Sequence, residues 1–193
     1  MPNQDLPRRE RLLAAAYAVL AERGYEAATV KEVARAAGVA PGLVHYYWRN
    51  KEELLTEVLQ QASERYTREM QELARRVEPA KLAEAALTVP RTRATTQPEW
   101  YRLRYELFAL GLRHPALAEG VRKLLAGGRA GIARVTERAT GAAPEEAEAA
   151  AAVLLACFDG LALQKLVDPA FDLDAAYGAL ARMARGSAAA GVA

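Results

Sequence analysis

Cysteine and histidine are nearly missing from this chain of 193 residues, and each scarcity removes a class of protein. The single cysteine, Cys157, rules out an internal disulfide and fits a reducing cytosol. Two histidines, His45 and His114, leave too few ligands for a zinc or di-iron site. There is no Glu-x-x-His pair and no nucleophile–base set, so the chain reads as a non-enzyme that needs no metal and no cofactor. Gly127, Gly128 and Gly131 raise the question of a phosphate loop. No strand precedes them and no Lys-Ser/Thr follows, so that reading fails. The first residues are polar and charged, unlike a signal peptide. No apolar run is expected to approach the roughly 20 residues that cross a bilayer. The expectation is a cytoplasmic protein without a membrane partner.

What is present is the balance of a folded chain, with 52% apolar and 26% charged residues. The net charge of +2 is unevenly spread. Residues 1–51 carry eight Lys or Arg against five acids, whereas the remainder carries eighteen against nineteen. Positive charge gathered at one end suits a polyanionic partner.

Helical periodicity dominates and strand signals are nearly absent, which predicts an all-α protein of about nine helices. The first helix spans about 8–23, with Leu12, Ala16, Val19 and Leu20 on one face and Gly24 as a left-handed stop onto which Tyr25 folds back. In "TVKEVARAAG", Thr29 and Glu32 form a capping box, Val30, Val33, Ala34 and Ala37 make the buried side, and Gly38 ends the helix. A third helix, about 41–47, has Pro41 at its first position and only two turns, so it must be held by neighbours. Asn50 with Glu53 starts a long fourth helix, about 51–77. Further helices are expected over 80–89, 98–113, 115–139, 144–167 and 174–185, with "RTRATTQPE" as a mobile loop and the last residues as a frayed tail.

Two short helices joined by a glycine-containing turn, with small Ala34 four residues before Gly38, describe a helix-turn-helix. Over residues 8–55, "GYEAATVKEVARAAGVAPGLVHYYWRNKEELL" resembles the N-terminal domain of the TetR family of bacterial transcription repressors. The elements that carry the likeness are Gly24-Tyr25, Thr29-Val30, Val33-Ala34, Ala37-Gly38-Val39, Gly42, Tyr47-Trp48, and Lys51 with Leu54.

This resemblance implies that the third helix enters the DNA major groove and explains the ring run His45-Tyr46-Tyr47-Trp48. Val44 and Trp48 should pack inward. Pro41, Gly42, His45 and Tyr46 should face the groove, with Tyr47 at its edge. Gly42 admits close backbone approach, and Pro41 offers an apolar face to a thymine methyl. The Tyr47 hydroxyl and the amide end of the fourth helix at Lys51 should clamp phosphates, and Thr29 with Lys31 the flanking one. Two positions depart from the family pattern. His45 stands where tyrosine is usual, and Ala40 where a serine or threonine cap is usual, which costs the third helix about 1 kcal/mol.

The division implied is a DNA-binding domain over 1–50 and a ligand-binding and dimerisation domain over 51–193. In the second part, "EWYRLRYELFALGLRHPAL" and "DGLALQKLVDPAFDLDAA" are similar to the subgroup of betaine-pathway repressors. The resemblance implies a homodimer built through the helices at about 144–167 and 174–185. It also implies a small organic inducer. Candidate pocket residues are Tyr66, Met70, Trp100, Arg104, Leu107, Phe108, Cys157 and Gln164, with the rings as walls and Arg104 as polar anchor. The expected function is a repressor that binds a palindromic operator as a dimer and is released by the inducer. An activator or architectural DNA-binding protein, whose second domain meets a protein partner, is the alternative.

Overall fold

The structure is a computed structural model. It describes residues 7–190, with the side chains at 62, 66, 116 and 185–190 left aside. Among the described residues it is all-α, with nine helices and no strand. They are α1 (Arg8–Ala27), α2 (Val30–Ala37), α3 (Pro41–Tyr47), α4 (Lys51–Arg76), α5 (Pro79–Thr96), α6 (Pro98–Arg113), α7 (Pro115–Thr140), α8 (Pro144–Val167) and α9 (Leu173–Ala190). Five of them, α3 and α5 to α8, begin on a proline, whose missing N–H costs nothing in the first turn.

By packing, the chain forms two compact units. The first holds residues up to Glu64 together with Arg102–Leu125, and the second holds Arg65–Tyr101 with the residues from Ala126 on. Helices α4, α6 and α7 thus contribute residues to both.

In the first unit, Leu12, Leu13, Ala16 and Leu20 of α1 join Val33, Ala34 and Ala37 of α2 in one core. Val44 and Trp48, Leu54, Leu55, Val58 and Leu59 of α4, and Leu103, Leu107, Leu117 and Leu124 complete it. Ala34 is fully buried within it. Full burial of a leucine such as Leu55 stabilises by about 1.5–3 kcal/mol. Gly120 admits Thr56: a Cβ there would come within 2.6 Å of its methyl.

In the second unit, α5, α8 and α9 pack on one another. Met70, Leu82 and Val135 are buried together, flanked by Leu73, Val77 and Val89. Phe158 stacks on Tyr177 with centroids 6.1 Å apart. Lys165 donates to the carbonyls of Pro169 (2.7 Å) and Phe171 (2.9 Å), and Asp172 accepts from the Ala175 amide (2.9 Å), so the α8–α9 turn is pinned by side chains.

Four sequence expectations are corrected. First, α1 does not stop at Gly24. That residue is a kink (φ 73°, ψ 170°), and one more turn follows to Ala27. Second, the expected loop after residue 89 is helix. α5 continues through Pro90 to Thr96 because Pro90, Arg93 and Ala94 are buried and Arg93 pairs with Glu69 at 2.5 Å. Those contacts outweigh the hydrogen bond that proline forfeits. Third, α8 is apolar enough over an 18-residue window (mean hydropathy 1.7) to match a membrane span in length and composition, although only 17% of that window is buried. Its alanines hide this in a residue-by-residue reading, and Asp159 interrupts the run. Fourth, α9 runs to Ala190 rather than 185, so much of the expected frayed tail is helical; residues 191–193 lie outside the described residues.

Candidate nucleic-acid interface

The turn geometry begins with Thr29. Its Oγ1 accepts from the Glu32 amide (3.2 Å), while the Glu32 carboxylate accepts from the Thr29 amide and hydroxyl, both at 3.0 Å. These bonds, the hydroxyl's above all, hold the Glu32 carboxyl below the usual range. Arg23 adds an ion pair to the same carboxylate. Gly38 closes α2 in the left-handed region (φ 68°, ψ 38°), and nothing lies within 4 Å of where a Cβ would sit. Conformation, not space, demands glycine there.

α3 then divides its faces sharply. Val44 and Trp48 are buried, Leu43 and Tyr47 are half-buried, and Pro41, Gly42 and His45 are exposed. Tyr46 is 79% exposed, although its ring packs edge-on against Tyr47 at 5.1 Å. Trp48 is the anchor. Its Nε1 donates to Glu57 (2.7 Å), and Arg9 lies over its ring at 5.8 Å while pairing with Glu57 at 2.6 Å. Gly42 has no heavy atom within 4 Å of a would-be Cβ and no positive φ, so the protein's own packing leaves that face open.

The start of α4 is capped by Asn50, whose Oδ1 accepts from the Glu53 amide (2.8 Å); Glu53 reaches back to the Arg49 amide (2.9 Å). The Lys51 ammonium turns inward. It donates to the carbonyls of Tyr25 (2.6 Å) and Ala28 (3.2 Å) and stands 4.0 Å from the Tyr25 ring centroid. The helix end at Lys51, rather than its ammonium, is what this arrangement leaves toward solvent. Tyr25 ties the neighbouring elements: its hydroxyl donates to Glu52 (2.5 Å) and its amide to Glu106 of α6 (2.9 Å). Burial and then the Glu52 bond push the Tyr25 pKa up, and the same bond holds Glu52 down.

Of the residues expected at DNA, Thr29, Lys31, Pro41, Gly42, His45 and Tyr46 are exposed and Tyr47 and Lys51 are half-buried. The candidate ligand residues do not gather in one unit. Arg104, Leu107 and Phe108 belong to the first, with the Arg104 guanidinium 4.6 Å from the Phe108 ring centroid and Leu107 in the core. Met70, Trp100, Cys157 and Gln164 belong to the second, where Met70 is buried, Cys157 half-buried and Gln164 exposed. The Tyr66 side chain lies outside the described residues. Sequence reasoning missed Arg93, which is buried, pairs with Glu69 and lies 5.4 Å from the Trp100 ring centroid. It also missed Glu52, Glu57 and Glu106, because an acid on a helix carries no sequence mark of the distant donor it will meet.

A short α3 packed on α2 across a glycine turn, with Val44 and Trp48 in the core and its polar rings outward, defines a helix-turn-helix protein. Comparison with known proteins then gives the family. The family model for bacterial regulatory proteins of the tetR family matches residues 12–58, and that for the tetracyclin repressor-like C-terminal domain matches residues 77–186. The chain belongs to the tetR family.

Among curated relatives, it is 38% identical over 58 residues to the HTH-type transcriptional repressor KstR2 of Mycolicibacterium smegmatis, covering 30% of this chain and 28% of that protein. Short matches of this kind span only about a quarter to a third of the relatives' length. A crystal structure of a transcriptional regulator from Rhodococcus sp. Rha1 is 32% identical with a TM-score of 0.68, covering 88% of this chain and 93% of that one. FadR from Bacillus subtilis, solved in complex with stearoyl-CoA, shares the fold at 20% identity and a TM-score of 0.68, over 89% of this chain and 94% of that one.

Proposed function

We propose that the protein is a transcriptional repressor that binds a palindromic operator as a homodimer and leaves it when a small organic inducer binds. The observation that carries this reading is the split of α3: Val44 and Trp48 locked inward, Pro41, Gly42, His45 and Tyr46 presented outward. His45 and Tyr46 read base edges, Pro41 and Gly42 allow close approach, and Tyr47, Thr29, Lys31 and the α4 end at Lys51 hold phosphates. The Lys51 ammonium, committed to Tyr25 and Ala28, acts mainly by fixing that helix end. Selection of binding sites from random duplexes tests this. A two-fold symmetric site should emerge and shift when His45 or Tyr46 is replaced; recovery of no preferred sequence would refute it.

The dimer forms through α8 and α9. What supports this is α8 itself, largely apolar yet mostly uncovered, with Val153 and Leu163 exposed and Met183 exposed on α9. Such a helix is stable in water only when something covers it.

The inducer site lies in the second unit, about Trp100, Arg93, Met70 and Cys157. The buried Trp100 and Met70 side chains suit a ligand with a large apolar body. Because α4 serves both units over 26 residues, roughly 40 Å of helix, a ligand that displaces its later turns is felt at Lys51 and Glu52. Swinging the population from 1:99 to 99:1 takes about 5.5 kcal/mol of preference for the released state. A long-chain acyl-CoA, the class seen in FadR, is the first probe to add to the operator complex. Release that Trp100→Ala abolishes would place the site; release unchanged in that variant would remove Trp100 from it.

A further inference from the structure

Beside α3 lies an open concavity of about 640 Å³ lined by Arg23, Lys31, Glu32, Arg35, Val39 and Pro41. Three cations and one carboxylate face it, and they are not equivalent. Glu32 is fully occupied by Arg23 and by the Thr29 amide and hydroxyl. Lys31 and Arg35, both exposed, stand one helical turn apart on α2 and form no ion pair among the described residues. Pro41, the first residue of α3, is among the lining residues.

Resting on the DNA-binding reading, we propose that this concavity seats the phosphodiester backbone flanking the bases read by α3. Arg35 acts as a phosphate contact beside Lys31, and Glu32 restrains the Arg23 charge. The surplus cations supply attraction that is blind to sequence, and a backbone running past Pro41 meets Lys31 and Arg35 in succession. The Arg23–Glu32 pair has a separate consequence. It withholds one positive charge from the backbone and so keeps sequence-independent binding low. Glu32 is therefore both half of the α2 cap and a brake on indiscriminate binding.

The experiment is the salt dependence of full-length protein binding to its selected operator and to an unrelated duplex, by fluorescence anisotropy, with folding checked by circular dichroism. Arg35→Ala should flatten the log–log salt slope by about one unit on both duplexes. Glu32→Gln keeps the cap, since glutamine serves at that position, but frees Arg23. It should tighten binding to the unrelated duplex several-fold and steepen its slope by about one unit. A merely structural Glu32 would give weaker binding or none of this change. Unchanged slopes in both variants, while the wild type binds DNA, would overturn the assignment and leave the DNA-binding reading intact. A wild type that binds no duplex would overturn that reading itself. Titration with inorganic phosphate at constant ionic strength should show no saturable binding. Saturable binding lost in Arg35→Ala would overturn the backbone assignment in favour of a small-anion site.

Discussion

The two units hold themselves together by different means. In the first, helix ends are tied by individual side chains: the Thr29–Glu32 box, Asn50 on the Glu53 amide, Lys51 on two carbonyls at the end of α1, and Glu106 on the Tyr25 amide. In the second, α5 and α8 begin on Pro79 and Pro144 with no side-chain cap, and α8 leaves much of its apolar surface uncovered. The first unit fixes one surface in one geometry, as reading a groove requires. The second ties the α8–α9 turn through Lys165 and Asp172 but leaves much of α8 without a covering contact.

The comparison breaks most visibly at α8. Placing glutamate at both Val153 and Leu163 should give a monomer by sedimentation equilibrium and lower operator affinity by about a hundredfold or more, since two linked heads bind far better than one. Circular dichroism should show the helices of the first unit retained. A dimeric double variant would mean that α8 does not carry the interface.

A smaller but still severe effect is expected in the first core. Leu55→Ala should lower unfolding stability by about 2–5 kcal/mol in urea titrations, because Leu55 is wholly buried in the core of the first unit.

Two glycines with equally open surroundings sharpen the contrast between shape and recognition. Gly38→Ala should cost about 1–3 kcal/mol from its φ of 68°. Gly42→Ala should leave stability equal or raised by less than about 1 kcal/mol, while weakening duplex binding. Thermal melts and anisotropy separate the two.

The smallest effect is a pH signature of Tyr25 and Glu52. Glu52 is held below the usual carboxylate range, so its contribution is present above that range and lost as pH falls through the lowered value. Tyr25 is raised, so its contribution is complete below the ordinary tyrosine pKa, about 10, and lost as pH climbs beyond it. Tyr25→Phe should cost about 1 kcal/mol at neutral pH and weaken the pH dependence on both limbs. Identical stability–pH curves for variant and wild type would deny the bond.

Much of the first unit could be read from sequence because its determinants are local. Thr29 and Glu32 are three residues apart, Asn50 and Glu53 likewise, and Gly38 announces its own φ. The inward Val44 and Trp48 and the outward His45 and Tyr46 are as the family resemblance implies. What escaped was long-range. Pro90 was read as a break because the partners that keep α5 helical, Glu69 with Arg93 and Tyr101 on the Pro90 carbonyl (3.4 Å), lie on other elements. The inward turn of the Lys51 ammonium carries no sequence mark for the same reason, since its acceptors are 23 and 26 residues away. The expected ligand residues divide between the two units, because helical spacing puts Leu107 and Trp100 on a shared element without saying that α6 contributes to both.

Salt titration of the intact protein against duplex DNA, including the promoter beside its own coding region, bears most directly on the central claim. Affinity should fall steeply and linearly on logarithmic axes as salt rises, with the selected operator bound far more tightly than an unrelated duplex. Binding that is absent, or indifferent to both salt and sequence, would contradict the account.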